Sequence, residues 1–267
     1  MKLDGCSAVI TGASAGIGRE LARQLAGRAK LLVLVARRRH RLEQLRSELL
    51  AANPALRVDI REVNLSNLEQ TMQLAAAVAT EPIDFLVNNA GLGDHGPFST
   101  ADPTRVNEQV QVNVLALTAL TRALLPRMIA HKRGAILNVS SSAGFVPLPD
   151  LAVYAATKAY VTSFSEAIRA ETRGLGITVT ALCPGPVHTE FAEVADREQP
   201  MRKARTSLAH VSVEEVVRAG LSAIERDKAL AVPGTAIKIV MTIVRALPLV
   251  VLRTAWRFSG TRKMYAK

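Results

Sequence analysis

Only two cysteines, Cys6 and Cys183, occur in the 267 residues, far apart and without metal-like spacing. Their scarcity excludes a disulfide scaffold of the secreted kind and fits a reducing, cytoplasmic setting. The five histidines are scattered, so no metal site is expected. No internal repeat, low-complexity tract or domain linker interrupts the chain, and this length buries a sizeable core without disulfides. A strand pattern already begins near Ser7, which leaves no room for a targeting peptide, and "LDGC" (3–6) lacks the apolar stretch that a lipoprotein cleavage box requires. Carboxylates are absent beyond Asp227, whereas residues 236–267 carry Lys238, Arg245, Arg253, Arg257, Arg262, Lys263 and Lys267. Most of the net charge of +11 lies in that segment. The rest is only mildly basic, and the overall charge does not argue for nucleic-acid binding.

Against these absences stands a regular alternation. "SAVIT" (7–11), "LLVLVA" (31–36), "RVDIREV" (57–63), "IDFLVNN" (83–89), "AILNVS" (135–140) and "ITVTALC" (177–183) read as strands. Helical patterns near 17–27, 40–52, 67–80, 105–131 and 153–173 separate them. Apolar strands without alternation, joined by helices, imply a parallel sheet covered on both faces. The expectation is a doubly wound, Rossmann-type α/β/α fold of about seven strands. One domain spans 1–235, and 236–267 forms a basic amphipathic extension.

"TGASAGIG" (11–18) follows the first strand and opens the first helix, which puts Gly12, Gly16 and Gly18 where a dinucleotide pyrophosphate needs close backbone approach and a helix N-terminus. An ordinary glycine-rich turn is the plain alternative. The second strand ends in "VARRRHR" (35–41), with Ala36 where an NAD-selective site carries an acidic residue. Arg37 and Arg38 suit a ribose 2′-phosphate instead, so NADP(H) is the expected cofactor. A solvated basic helix start or a nuclear-import patch would have the same composition.

The chain has three tyrosines, and "YAATK" sets one of them, Tyr154, a helical turn before Lys158, on the same face. Moving a tyrosine pKa from about 10 to about 7 requires roughly 4 kcal/mol. A cation about 4.5 Å away supplies about 3–4 kcal/mol at an effective dielectric near 20. Such a pair also arises by chance, so its companions decide.

Those companions are "NNAG" (88–91), Asn113 in "VNVLA", "SSSAG" (140–144) and "PGPVHT" (184–189). With the glycine loop and "YAATK", in this order over roughly 5–233, the chain resembles the short-chain dehydrogenase/reductase family in its single-domain form. The resemblance implies that Tyr154 donates the proton in carbonyl reduction, with Lys158 lowering its pKa and holding the nicotinamide ribose. Ser141, thirteen residues before the tyrosine, would hold the substrate oxygen, with Ser140 or Ser142 as alternatives. Asn113 would support a water-mediated relay from Lys158, or be a helix-interior amide bonding its neighbours. The implied cofactor contacts further include Ser14 and Ile17 in the loop, Asn64 and Leu65, and Asn89, Ala90 and Gly91. Pro184, Gly185, Val187 and Thr189 would hold the nicotinamide end. Asn64 stands where the family more often has aspartate, but its amide oxygen can still accept from an adenine amino group.

Phe145, Leu148, Leu151, Phe191 and Val194 suggest a pocket for a small apolar carbonyl or alcohol, unless they are core or subunit contacts. Segment 190–205 reads as a lid. The helices at 105–131 and 153–173 resemble those the family uses in a homodimer or homotetramer. "AIKIVMTIVRALPLVVL" (236–252) is too short and too charged to span a membrane. As a helix it sets Lys238, Thr242 and Arg245 against Ile237, Val240, Met241, Val244 and Leu247. Together with Arg253, Trp256 and Arg257, it either lies on an anionic membrane surface through 236–257 or packs on the pocket or a subunit.

Overall fold

Strands that are apolar on both sides have no solvent face and become the middle of a layered structure. In the computed structural model, which describes residues 1–187, 190–195, 211–247 and 250–251, seven strands form one sheet, five of them buried along their whole length. They are β1 (Ser7–Thr11), β2 (Leu31–Ala36), β3 (Arg57–Glu62), β4 (Phe85–Asn88), β5 (Gly134–Val139), β6 (Ile177–Leu182) and β7 (Leu230–Ala231). All pair in parallel, in the order β3-β2-β1-β4-β5-β6-β7. Strand order reverses between β1 and β4, which opens a crevice at their carboxyl ends.

The helices α1 (Gly16–Ala26), α2 (Arg39–Ala52) and α8 (Val213–Glu225) cover one face through Leu21, Leu25, Leu42, Leu45, Val216 and Ile224. On the other face α3 (Leu68–Thr80), α4 (Pro103–Val110), α5 (Leu117–Ala130) and α6 (Ala152–Glu171) pack through Leu74, Val78, Leu120, Leu124 and Met128. The short helix α7 (Glu190–Ala195) follows β6, and α9 (Thr235–Ala246) follows β7.

The helix read over 105–131 is continuous from Pro103 to Ala130 but widens into a π-turn over Gln111–Ala116, which carries Asn113. This 28-residue stretch is long and apolar enough by composition to cross a membrane. Here it packs against α3 and the sheet face instead. Helix α8 was not legible from apolar spacing alone, although its capping box between Ser212 and Glu215 is a sequence signal. The helix read over 236–252 ends at Ala246, because the residue before a proline is pushed out of the α region and Leu247 is extended at φ −80°, ψ 136°.

A buried polar chain ties the sheet to the helices beside the crevice. The Asn88 amide donates to Thr121 Oγ1 (3.1 Å) on α5 and to Asn138 Oδ1 (2.9 Å) on β5. Asn138 in turn donates to Ser165 Oγ (2.9 Å) on α6. Replacing one member strands the others in a dry interior, which costs more than the lost bond. Asn138→Ala is expected to lower unfolding free energy in urea by about 2–3 kcal/mol. Adding Ser165→Ala should cost less than the sum of the single changes. A loss below about 0.5 kcal/mol would show that the chain does not stabilise the sheet.

Candidate active site

The glycine loop is built against the turn after β4. Gly12 and Gly16 have φ of +67° and +53°, a region that residues with a Cβ rarely adopt. The Asn89 amide donates to the Thr11 carbonyl (2.9 Å) and the Gly12 carbonyl (3.3 Å). Thr11 Oγ1 accepts from the backbone N–H of Asn89 (2.9 Å) and Ala90 (3.0 Å). A Cβ on Gly12 would lie 2.8 Å from Asn89 Nδ2, and one on Gly18 would collide with the Gly12 carbonyl. Ile17 packs against the core.

Ser14 is buried and accepts a hydrogen bond from Arg38 (3.2 Å). Arg38 and Arg41 together grip the Glu190 carboxylate of α7, at 3.0 and 2.6 Å. Arg37 is exposed and takes no part in this grip. Arg41 and Glu190 were not singled out from sequence. Arg41 lies one turn beyond Arg38 in the quoted "VARRRHR", and only the fold brings Glu190 across. Asn64 differs from its expectation: its side-chain oxygen already accepts from the Ser66 N–H (3.1 Å) and hydroxyl (2.9 Å). Both lone pairs are thus engaged in a local turn. The neighbouring Leu65 is buried.

The ends of β5 and α6 bring the serine, tyrosine and lysine together. Ser140 Oγ donates to the Lys158 carbonyl (2.8 Å) and pairs with Thr162 Oγ1 (2.8 Å), so it is committed to structure. Ser141 caps the turn Ser142–Phe145, accepting from Ala143 N–H (3.1 Å), and hydrogen-bonds Tyr154. Ser142 is tied through its N–H to the Pro184 carbonyl (2.9 Å). Gly144 lets this turn lie on α6, where a Cβ would sit 2.7 Å from the Lys158 carbonyl group.

Lys158 is buried and donates to the Val139 carbonyl (2.8 Å), with its Nζ 5.8 Å from the Tyr154 ring centre. Burial pushes its pKa down to about 8. Burial likewise pushes Tyr154 up from its ordinary value, opposed by the Ser141 hydrogen bond. The resemblance implied that Lys158, aided by the charge of an oxidised nicotinamide, lowers the tyrosine pKa; the protein's own groups push it the other way. In this arrangement removal from water outweighs the lysine, whose ammonium is bonded to a carbonyl instead of the phenol.

Asn113 is a clamp. Its Oδ1 accepts from Leu92 N–H (2.8 Å), and its Nδ2 donates to the Leu92 carbonyl (2.9 Å) and Thr157 Oγ1 (3.0 Å). Thr157 Oγ1 continues to the Tyr154 carbonyl (2.8 Å). A Cβ on Gly91 would lie 3.3 Å from Lys158 Nζ and 3.5 Å from Asn113 Oδ1, so Asn113 and Lys158 border the same small space.

Of the apolar residues, Phe191 comes to the tyrosine, with ring centres 5.3 Å apart. Phe145 lies under the Arg245 guanidinium at 5.3 Å. Leu148 and Leu151 are half-buried in the turn before α6. Pro184 is buried, Gly185 is covered by Ile237 of α9, and Val187 packs on the core. Thr189, the Val194 side chain, lid residues 196–205 and tail residues 252–267 lie outside the described residues. Among the described residues, no group of His, Cys, Asp or Glu could hold a metal ion.

The model of the short chain dehydrogenase family matches residues 7–200. The very-long-chain 3-oxoacyl-CoA reductase of Bos taurus is 30% identical over 217 residues, 78% of this chain and 69% of the relative. A short-chain dehydrogenase from Sphingobium yanoikuyae in complex with NADPH superposes with a TM-score of 0.81 at 28% identity, covering 95% of this chain and 96% of that one. A short-chain dehydrogenase/reductase from Burkholderia phymatum in complex with NAD gives 0.78 at 25%, covering 91% and 93%. The protein thus belongs to the short-chain dehydrogenase family of oxidoreductases, which act on CH–OH and C=O groups.

Proposed function

We propose that the protein is an NADP(H)-dependent reductase of an apolar ketone or aldehyde, with Tyr154 as general acid. The observation that carries this reading is the convergence of Ser141, Tyr154 and Lys158 beside the glycine loop. The residues fit the cofactor. Gly12 and Gly18 leave the backbone open to close approach, and the Arg38 and Arg41 pair, with Ser14 alongside, already grips an oxyanion. Arg38, Arg41 and Ser14 would hold the 2′-phosphate, and Lys158 the nicotinamide ribose. Bound NADPH supplies the hydride.

The chain's own residues do the rest. Ser141 Oγ holds the substrate oxygen and stabilises charge that develops on it. Tyr154 Oη then donates its proton to that oxygen. The upward push on its pKa keeps it protonated and fit to be an acid. Lys158 and Asn113, beside Gly91, border the route by which a proton returns. Phe191 shields the tyrosine from water, and with Phe145, Leu148 and Leu151 makes an apolar surround. Since the bovine relative is named for a very-long-chain 3-oxoacyl-CoA, acyl-thioester ketones belong among the test substrates. Exposed Phe98, Val110 and Tyr160 line an apolar hollow of about 440 Å³ between α4 and α6, which supports a homodimer through these helices.

Tyr154→Phe is expected to lose at least about a hundredfold in turnover across aliphatic, steroidal, aromatic and acyl-thioester carbonyls, while NADPH binding is retained. Full turnover in the variant would sink the acid assignment. No turnover by the wild type, despite tight NADPH binding, would favour a non-enzymatic NADP-binding regulator.

The arginine pair gives a second test. Removing both guanidiniums (Arg38→Ala with Arg41→Ala) should weaken NADPH binding about tenfold, with little change for NADH. Glu190→Gln, which removes the competing carboxylate, should tighten NADPH binding. Equal effects on both cofactors would refute 2′-phosphate recognition here.

Lys158 gives a third. Folded Lys158 releases its proton near pH 8, whereas an ordinary lysine does so near 10.5. Between these values the unfolded chain binds more protons, so stability rises with pH. Relative to Lys158→Met, the wild type should gain up to about 3 kcal/mol from pH 8 to 10.5 in urea unfolding. A difference that stays flat across that range would rule out a buried, depressed lysine.

A further inference from the structure

Helix α9 departs from an ordinary surface helix in being apolar on both sides. Its inner side is apolar: Ile237 is buried over Gly185, and Met241 and Val244 are half-buried. The outer side of such a helix is normally polar. Here Ile239, Val240 and Ile243 are 56%, 51% and 56% exposed. Leu247, Val250 and Val251 extend the exposed apolar surface at 37%, 63% and 44%. Single exposed aliphatics are normal on a soluble protein, but a contiguous set marks a contact surface. The sequence reading set Lys238, Thr242 and Arg245 opposite one apolar face. In the structure they form the border between two.

Charge identifies the occupant. Beyond Asp227 the sequence has Lys228, Lys238, Arg245, Arg253, Arg257, Arg262, Lys263 and Lys267 and no carboxylate. A second copy of the same face would bring like charges together, which is unfavourable. Arg245 is paired with Glu166, and an anionic lipid surface satisfies Lys238, the cations that follow in the sequence and the aliphatic face. The twelve residues of α9 extend about 18 Å, well short of the roughly 30 Å hydrocarbon core, so the helix lies in the interface and does not cross it.

We propose that α9 docks the protein on an anionic membrane surface, with Ile239, Val240 and Ile243 at the boundary between headgroups and acyl chains. Docking also orients the site. Helix α9 packs on the turn Ser142–Phe145 capped by Ser141, and Arg245 reaches over Phe145 to Glu166 (3.3 Å). The mouth of the Tyr154 site therefore borders the bilayer, and a lipophilic carbonyl enters from the membrane. This last step rests on the reductase reading, whereas docking itself does not.

The test floats the full chain with phosphatidylcholine vesicles, with and without phosphatidylglycerol, alongside an Ile239→Asp, Ile243→Asp variant and a milder Ile239→Ser, Ile243→Ser variant. The wild type should float with the anionic vesicles and be released by salt. The aspartate variant should lose about tenfold or more in vesicle affinity, while keeping NADPH binding and turnover of a water-soluble ketone. A wild type that stays at the bottom of the gradient overturns the proposal, as do variants that float equally well. A variant whose sedimentation shows a smaller assembly also overturns it, assigning the face to a second copy. Flotation reads no turnover, so its failure leaves the reductase reading standing. Failure on the soluble ketone with intact flotation counts against that reading alone.

Discussion

The Asn89 amide reaches two carbonyls of the glycine loop, at 2.9 and 3.3 Å, and this close approach sets the geometry of the whole cleft. It requires Gly12 and Gly18 to lack a Cβ, and it requires β4 to end beside β1, which the strand order provides. The Asn89 end of the contact is held in place, because Asn88, the residue before it, is fastened through Asn138 to α6. The loop fit to receive pyrophosphate and the helix that carries Tyr154 and Lys158 are therefore held by one connected set of buried amides. Polar groups in a dry interior enforce such a register strongly, because each alternative leaves a donor or acceptor unpaired.

The same dryness governs the proton chemistry. Lys158 and Tyr154 are both pushed toward their neutral forms, the direction that burial imposes on a cation and on a phenol alike. A spacing argument sees only the attraction between the two groups. It cannot see the loss of solvation each suffers on a helix pressed against the sheet, nor the Val139 carbonyl that takes the ammonium. A neutral tyrosine is the form that a reductase acid needs. The Ser141 hydrogen bond, which favours the phenolate, is the counterweight.

Much of this was legible in the sequence because it is local. Most strands and the helices between them announce themselves through apolar runs and helical periods, and the glycine loop through residues that only one backbone path accommodates. The family order of motifs supplied the rest of the cleft. What stayed hidden was contributed by partners distant in the chain. Arg41 meets Glu190 across 149 residues, Ser66 takes the oxygen of Asn64, and the π-turn at Asn113 leaves no mark in periodicity. Helix α9 was visible as an apolar segment, but which of its sides faces the body depends on Gly185 and Phe145, far away in sequence.

Helix α7 joins the two ends of the cleft more directly than the sheet does. Glu190 lies in the arginine pair, and its neighbour Phe191 lies on the Tyr154 ring. Adjacent Cα atoms are only about 3.8 Å apart, so a shift of one residue by more than a bond length carries the other with it. The far end of the helix is held as well, by His95 N–H on the Ala195 carbonyl at 2.9 Å. A phosphate competing for Arg38 and Arg41, as proposed for NADP(H), would therefore act on the cover over the tyrosine, although the two sites share no side chain. The surface ion pairs that oppose it are individually weak.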